Sequence, residues 1–389
     1  MTFQGYRRSD GQAGIRNHIL VMPTVICANQ VATAIAEGLP AVAIPHVYGC
    51  SFDGRDNAAL EYTLVGVGRN PNVAAVLVVT LGCETASGEK VVEGIAGSGK
   101  PVARVDIQEE GGTPRAIAHG REIVEGFARE IERLRPEPVP VEELILAVEC
   151  GASDAFSGLS ANPAVGAAAD LLVEAGGTVI LSETSEIIGA EQILARRCVD
   201  AETRERLLNI VEQQESAFRS FEEHAGGVYI APGNIAGGLT TLEEKSLGCI
   251  RKGGTSPVRE VVAFGERPSR RGLVVMDTPG HDVASMIGMV AGGAQVICFT
   301  TGRGTPTGCP VAPVIKVCSN TETSRHMADN IDLDAGTILS GEENIEEVGQ
   351  RIYERVLAVA NGERTCSELL GHAEFMIGRR REIGACPRG

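Results

Sequence analysis

The stretch Val73-Ala-Ala-Val-Leu-Val-Val-Thr80, running straight into Leu81-Gly82-Cys83-Glu84, decides the fold class. A continuous β-branched run with no polar alternation is a strand buried on both faces. Similar short runs occur at His18–Val25, Ala41–Ile44, Pro101–Val105, Glu143–Val148, Thr178–Leu181, Gly272–Met276, Ala294–Phe299 and Val311–Val317. Helical patterns lie between them, among them Val31–Glu37, Thr113–Leu134, Pro163–Glu174 and Ala190–Glu223. Strands alternating with helices predict an α/β protein built of Rossmann-like parallel sheets with helices on both faces. At roughly 150 residues per domain, 389 residues suggest two or three domains. The segment Arg135-Pro-Glu-Pro-Val-Pro140 is the most linker-like, which predicts an N-terminal α/β domain over 1–138 and a C-terminal one over 139–389. Gly265–Arg271 is a second, weaker break.

Composition narrows the function. The net charge of −16 repels phosphate backbones and anionic lipid heads, so no nucleic-acid or membrane partner is expected. Charged residues at 22% and hydrophobic ones at 43% are ordinary for a globular chain and exclude extended disorder. With no Trp and 4% aromatic residues, base stacking and an aromatic sugar groove are excluded as well. The longest apolar candidate, Ile19 to Ala28, stops at Asn29 and Gln30, short of a membrane span. The first residues carry no signal-peptide pattern, so a cytoplasmic location is expected. The eleven cysteines include no Cys-x-x-Cys pair, which excludes zinc-ribbon and thioredoxin-type sites; in a cytosolic chain they read as reduced thiols.

In an open α/β sheet, ligands bind beyond the carboxyl ends of the strands. Here those ends lead to Cys27-Ala-Asn29, His46-Val-Tyr-Gly-Cys50, Gly82-Cys83-Glu84, Glu149-Cys150, Ser182-Glu183-Thr184, Asp277-Thr-Pro-Gly-His281-Asp282 and Thr300-Thr-Gly-Arg303. Turns and helix caps explain Ser, Asp and Thr at such places but not recurring Cys, His and Glu. Phosphate sites fail: Gly94-Ile-Ala-Gly-Ser-Gly99-Lys100 is followed by Pro101 and a strand, and no Gly-x-Gly-x-x-Gly follows the first strand. His46 and Cys50, with Cys83 and Glu84, are the best metal-ligand candidates, and such a mixed set suits ferrous iron. The plainer alternative has His46 holding a loop and both cysteines packed inside.

The segment Glu149 to Pro163 reads as strand, polar loop and helix, with Ser160 or Asn162 as cap and Asp154 within the loop. In Pro232–Ser246, Thr240 with Glu243 or Thr241 with Glu244 has capping-box spacing, and Lys245 is the lone lysine between Lys100 and Lys252. On residue type alone Lys245 is an exposed helix lysine. Arg303, flanked by two glycines, can present its fork to a carboxylate.

Taken together these loops resemble the altronate/galactarate dehydratase family of acid-sugar dehydratases. The likeness runs through Gly5-Tyr-Arg-Arg-Ser-Asp10-Gly11-Gln-Ala-Gly14-Ile-Arg16-Asn17, His46-Val-Tyr-Gly49-Cys50, Gly82-Cys83-Glu84 and Glu149-Cys150-Gly151-Ala-Ser153-Asp154-Ala-Phe-Ser157-Gly158. It is closest in Gly233–Gly248, Met276–Asp282 and Thr300–Gly308. The resemblance implies a metal-dependent lyase that eliminates water across C2–C3 of an altronate-like acid to give a 2-keto-3-deoxy acid. The implied cofactor is Fe2+, or another divalent ion such as Mn2+, with an iron–sulfur cluster on scattered cysteines as the alternative. Lys245 and His281 are then candidates for base and acid, with Glu183 third. Arg303, Asp154, Asn162, Asn234 and Thr307 are the substrate-binding candidates.

Family members often carry a small antifreeze-like (SAF) domain. The chain is therefore expected to be the large subunit of a split enzyme, partnered by a small SAF-domain subunit and forming a homo-oligomer. Ser51-Phe52-Asp53-Gly54 departs from the dehydratase pattern, which puts the substrate in question. Split members include (2R)-3-sulfolactate sulfo-lyase, which releases sulfite and pyruvate. A scaffold subunit that only binds an acid metabolite is the non-enzymatic alternative.

Overall fold

The computed structural model describes residues 1–51, 53–225 and 230–378. Fourteen strands occur among them: β1 (Thr2–Arg7), β2 (Ala13–Gly14), β3 (His18–Pro23), β4 (Val42–Ala43), β5 (Val73–Thr80), β6 (Val102–Asp106), β7 (Glu137–Pro140), β8 (Ile145–Cys150), β9 (Thr178–Leu181), β10 (Val258–Val262), β11 (Gly272–Met276), β12 (Val296–Thr301), β13 (Val314–Cys318) and β14 (Leu333–Asp334). Two sheets are wholly parallel. The smaller has the order β4-β3-β5-β6, the larger β10-β11-β9-β8-β12-β13-β14. Every residue of β5, β8, β11, β12 and β13 is buried, as runs without alternation require.

Helices cover both faces of each sheet. On one face of the small sheet, Asn29–Ala36 and Thr113–Ile131 enclose Ile35, Leu77, Val79 and Val124. On the other, Gly54–Arg69 and Gly88–Ala96 share a core with the large sheet and its helix Asp282–Ala291, in which Leu64, Val76, Ala147, Met276 and Val290 are all buried. The far face of the large sheet is closed by Ala161–Glu174 and Ile345–Ala360. Buried asparagines also tie the sheets: Asn70 donates to the carbonyls of Val290 and Ala294, and Asn72 to those of Gln295 and Val311.

Two expectations change locally. Arg135–Pro140 is no free linker, because β7 pairs antiparallel with β1 along Thr2–Gly5. It lies at the edge of the third sheet, β2-β1-β7, where prolines cost no ladder bond. The helical pattern Ala190–Glu223 is split into Glu191–Ala195 and Ala201–Ala225. Cys198 bridges Val258, the Val199 and Val258 amides bond across, and Asp200 accepts from the Thr203 amide to start the second helix. No helix among the described residues is long and apolar enough to cross a membrane.

The strand orders locate the crevices. The chain leaves β8 toward β9 on one side and returns at β12 on the other; it likewise leaves β3 toward β4 and returns at β5. Such reversals open a crevice at the strands' carboxyl ends.

Candidate active site

At the reversal of the large sheet, β8 ends in Glu149 and Cys150, both buried. Beyond them lie the two non-glycine residues with positive φ among the described residues, Ala152 (φ 50°) and Glu183 (φ 62°). Left-handed backbone costs an L-residue roughly 1–2 kcal/mol, and such strain gathers at functional sites. Glu183 is held there by its amide donating to Thr278 Oγ1 at 2.7 Å and by the Thr184 amide donating to the Thr278 carbonyl.

Around Cys150 the side chains form one buried charge cluster. Lys252 Nζ lies 2.8 Å from Cys150 Sγ, 3.2 Å from Glu183 Oε2 and 3.3 Å from Glu186 Oε2. Lys245 Nζ lies 2.7 Å from Glu186 Oε1. Cys150 Sγ is 3.0 Å from Glu186 Oε2 and 3.5 Å from Cys249 Sγ. Behind them, Glu149 Oε2 accepts from Ser285 Oγ at 2.6 Å and Ser182 Oγ at 3.2 Å. Gly151 is forced by proximity: a Cβ there would lie 2.0 Å from Asp282 Oδ2.

Burial and neighbours set the protonation. Burial pushes Glu149 up to about 8. Burial, with Glu149 and Glu186 nearby, pushes Glu183 well above the carboxylate range. Burial also opposes ionisation of Glu186, but Lys245 and Lys252 outweigh it and hold this carboxyl low. Glu186 in turn raises Lys245. Burial would discharge Lys252, yet Cys150, Glu183 and Glu186 together keep its ammonium charged. The neighbouring Cys249 thiol and burial raise Cys150. At neutral pH the site thus presents two ammonium groups against one firmly ionised carboxylate, with protons retained on the Glu149–Glu183 side. That suits an anionic ligand.

Among the described residues, Cys150, Glu186 and Cys249 form the group of three His, Cys, Asp or Glu ligand atoms that lie within 4.8 Å of one another. Two thiols and a carboxylate are donors that ferrous iron accepts. Lys252 competes for the same place, so an ion would bind only as the thiols lose their protons and the ammonium moves off Cys150.

The sequence candidates fall into three sets. Lys245, Asp154 and Asn162 line one cavity of about 260 Å³ together with Cys249. Lys245 is not an exposed helix lysine; it is largely buried on the helix Leu242–Cys249, which Thr241 caps by accepting from the Glu244 amide. Asn162 accepts from Thr300 Oγ1 and donates to the Gly248 carbonyl. Asp154 holds its own loop, accepting from Ser157, Ser319 and Asn320, and Asn234 donates to the Ser153 carbonyl.

A second set lies at the rim. His281 is exposed at the start of the helix Asp282–Ala291. Arg303 is exposed, with Nη1 donating to the Gly233 carbonyl at 2.8 Å, and Thr307 bonds to Thr305.

The third set, His46, Cys50, Cys83 and Glu84, belongs to the small sheet and is not gathered as one four-ligand site. His46 Nε2 donates to the Pro23 carbonyl and Nδ1 accepts from the Tyr48 amide, so neither lone pair is free for a metal. Glu84 accepts from Thr24 Oγ1 and from the Leu81 and Gly82 amides. Cys50 and Cys83 are exposed, not packed inside. Sequence reasoning missed Lys252, Glu186 and Cys249. A lysine beside Arg251 and two glycines carries no sign of burial, and only folding brings residue 252 to residue 150.

Comparisons with known proteins identify the family. The D-galactarate/altronate dehydratase C-terminal model matches residues 141–383, and the second-domain model of D-galactarate dehydratase/altronate hydrolase matches residues 5–132. The chain belongs to the galactarate/altronate dehydratase family. It is therefore a lyase. Among relatives of this dehydratase-family chain, the (2R)-sulfolactate sulfo-lyase subunit beta of Chromohalobacter salexigens is 40% identical over 381 residues, covering 97% of each chain. The altronate dehydratase of Bacillus subtilis is 34% identical over 97% of this chain and 77% of its own length. The galactarate dehydratase (L-threo-forming) of Escherichia coli is 36% identical over 93% of this chain and 73% of its own.

Proposed function

We propose that this chain is the catalytic large subunit of a two-component lyase that eliminates the C3 substituent of a 2-hydroxy carboxylate, releasing water from an acid sugar to give a 2-keto-3-deoxy acid. The observation that carries this reading is the pair of buried ammonium groups, Lys245 and Lys252, set among Glu183, Glu186 and Cys150 at the crevice of a dehydratase-family sheet. Removing the proton α to a carboxylate builds up an enediolate. Fixed positive charge from the two lysines stabilises it where water is excluded.

Glu183 and Lys245 both hold protons at neutral pH, so the acid that assists the departing hydroxyl falls to them. His281, exposed at the rim, is the base that takes the C2 proton. Arg303 receives the substrate carboxylate. Cys150, Glu186 and Cys249 are the residues that would hold a divalent ion such as Fe2+, which supplies further charge neutralisation when bound.

A second reading, sulfite release from (2R)-3-sulfolactate, is favoured by one observation. The relative named as a sulfo-lyase beta subunit is 40% identical to this chain, against 34–36% for the dehydratases. The same name, a beta subunit, supports a partner subunit. The exposed side chains of Leu159 and Leu247, at the mouth of the cavity, give such a partner an apolar surface to cover.

The test is to mix the full chain with a small partner subunit and ferrous iron, then supply altronate, galactarate or sulfolactate. A 2-keto-3-deoxy acid supports the first reading, and sulfite with pyruvate the second. Binding of all three without turnover would leave only the scaffold role. Sulfite departs without an acid, so Glu183→Gln should abolish dehydration yet leave much of any sulfite release.

A further inference from the structure

A cavity of about 570 Å³ lies away from both crevices. His18 and Val42 open β3 and β4, and Pro313 stands just before β13, so the cavity sits at the amino ends of these strands, opposite the crevices. Its volume is ordinary for a small-molecule site. Ile15, Pro310 and Ala312 give it apolar walls. Its polar groups are unevenly spent. Arg16 uses all five of its N–H groups, on the two Glu368 oxygens at 2.7 and 2.9 Å and on the carbonyls of Ile15, Val359 and Glu363. The Asn17 and Asn361 side-chain oxygens are taken too, by Arg8 Nη1 at 2.8 Å and the Gln4 amide at 3.0 Å. Donors are left over. Arg364 gives one N–H to the Glu368 carbonyl, and its guanidinium meets no carboxylate among the described residues. The Asn17 amide nitrogen, the Tyr6 hydroxyl and the His18 ring have no hydrogen-bond partner among them either. His372, also in the wall, has its Nδ1 buried without a partner. Burial, against the pull of Glu368, pushes His18 down to about 4, so its ring offers an N–H without a charge.

We infer that this cavity is a second binding site, for a small organic monocarboxylate held by Arg364, with Tyr6, Asn17 and His18 as donors to its polar body. The Arg16–Glu368 ion pair cancels in charge, so Arg364 carries the unbalanced charge of the wall among the described residues. One positive charge matches one carboxylate, which a guanidinium can take through two parallel N–H bonds. A surplus of N–H and O–H groups favours a ligand rich in acceptors, and a buried polar group gains most when such a partner arrives. A cation would find the one carboxylate of the wall, Glu368, already covered by Arg16 and by the Thr365 amide. The apolar walls then close on the carbon chain.

The inference rests on none of the lyase chemistry proposed for Cys150, Lys245 and Lys252, and its test reads binding instead of turnover. The probe is gluconate, a polyhydroxy monocarboxylate; sorbitol, the same carbon chain without the carboxylate, is the control. The full chain is labelled at the histidine Cε1 carbons, and the imidazole signals are followed by nuclear magnetic resonance as each probe is added. His18→Gln and His372→Gln identify the two signals that belong to the cavity. Gluconate should move both along one saturable curve, and sorbitol should leave them in place. Arg364→Met should weaken that binding at least tenfold, as loss of a charged hydrogen bond implies. The Arg364 side chain is exposed, and a melting curve checks that the variant is folded. Arg303→Lys, at the crevice, should leave the curve unchanged, which separates this site from substrate binding. Signals that stay fixed, that move as far with sorbitol, that follow the same curve in Arg364→Met, or whose curve weakens in Arg303→Lys overturn the assignment.

Discussion

Lys252 stands between Cys150, Glu183 and Glu186 with almost no exposed surface, so its charge and theirs depend on each other. Removing one partner of a buried charge set leaves the rest uncompensated, which typically costs 3–5 kcal/mol. Lys252→Met should therefore lower the free energy of unfolding, measured by denaturant titration, by about that amount and abolish turnover; a variant of unchanged stability would show that the ammonium is not needed to hold the carboxylates together. Asp277 gives a pH test away from that set. Burial pushes its carboxyl up to about 6 from 3.8, against the bond it accepts from Thr184 Oγ1. The folded chain binds this proton more tightly than the unfolded one, so the associated stability is full below pH 4 and is lost as pH rises through 6. Asp277→Asn should raise the melting temperature at pH 8, by the equivalent of about 2–3 kcal/mol, and leave it level near pH 4. Equal gains at both pH values would mean that ionisation is not the cause.

At the scale of elements, the site depends on loops fastened to one another more than on any one helix. The segment 232–241 is joined to the loop after β8 by the Ala155 amide donating to the Gly237 carbonyl and by Asn234 donating to the Ser153 carbonyl. Arg303, on the loop after β12, reaches the same segment through Nη1 at the Gly233 carbonyl. That contact uses one N–H of the guanidinium fork and leaves others for a carboxylate. Arg303→Lys keeps the charge and loses the fork, so KM should rise by at least tenfold, the equivalent of about 1.5–3 kcal/mol, with the melting temperature unchanged. A lower melting temperature with an unchanged KM would make Arg303 a clasp between loops instead of a substrate contact.

The molecule as a whole combines two parallel sheets through one shared core and the buried amides of Asn70 and Asn72. Both crevices sit where strand order reverses, and the mouth of the large-sheet cavity carries exposed Leu159 and Leu247. If a small subunit covers that mouth, the chain alone should turn over little, and adding the partner should restore activity in proportion to complex formed. Leu159→Asp should weaken that restoration by tenfold or more while leaving the melting temperature of the isolated chain as it was, since the side chain is exposed. Full activity of the chain alone would remove the need for a partner.

The sequence by itself determined the sheets: unbroken runs such as Val73–Thr80 can only be satisfied as strands buried on both faces, and each run ends at the polar residues that form the crevices. Asp154 and Asn162 follow one such end, and the cavity they line also takes in Lys245, which on residue type alone read as an exposed helix lysine. The sequence could not pair residues far apart in the chain. Whether Lys252 points to water or to Cys150, 102 positions away, depends on how helix Leu242–Cys249 packs against the β8 loop. Nor could it tell that His46 spends both ring nitrogens on Pro23 and Tyr48, or that Cys50 and Cys83 stand exposed while Cys150 and Cys249 are buried. Periodicity reports which face of an element is buried; hydrogen-bond partners and charge neighbours are properties of the packed chain, and only the tertiary structure decided them.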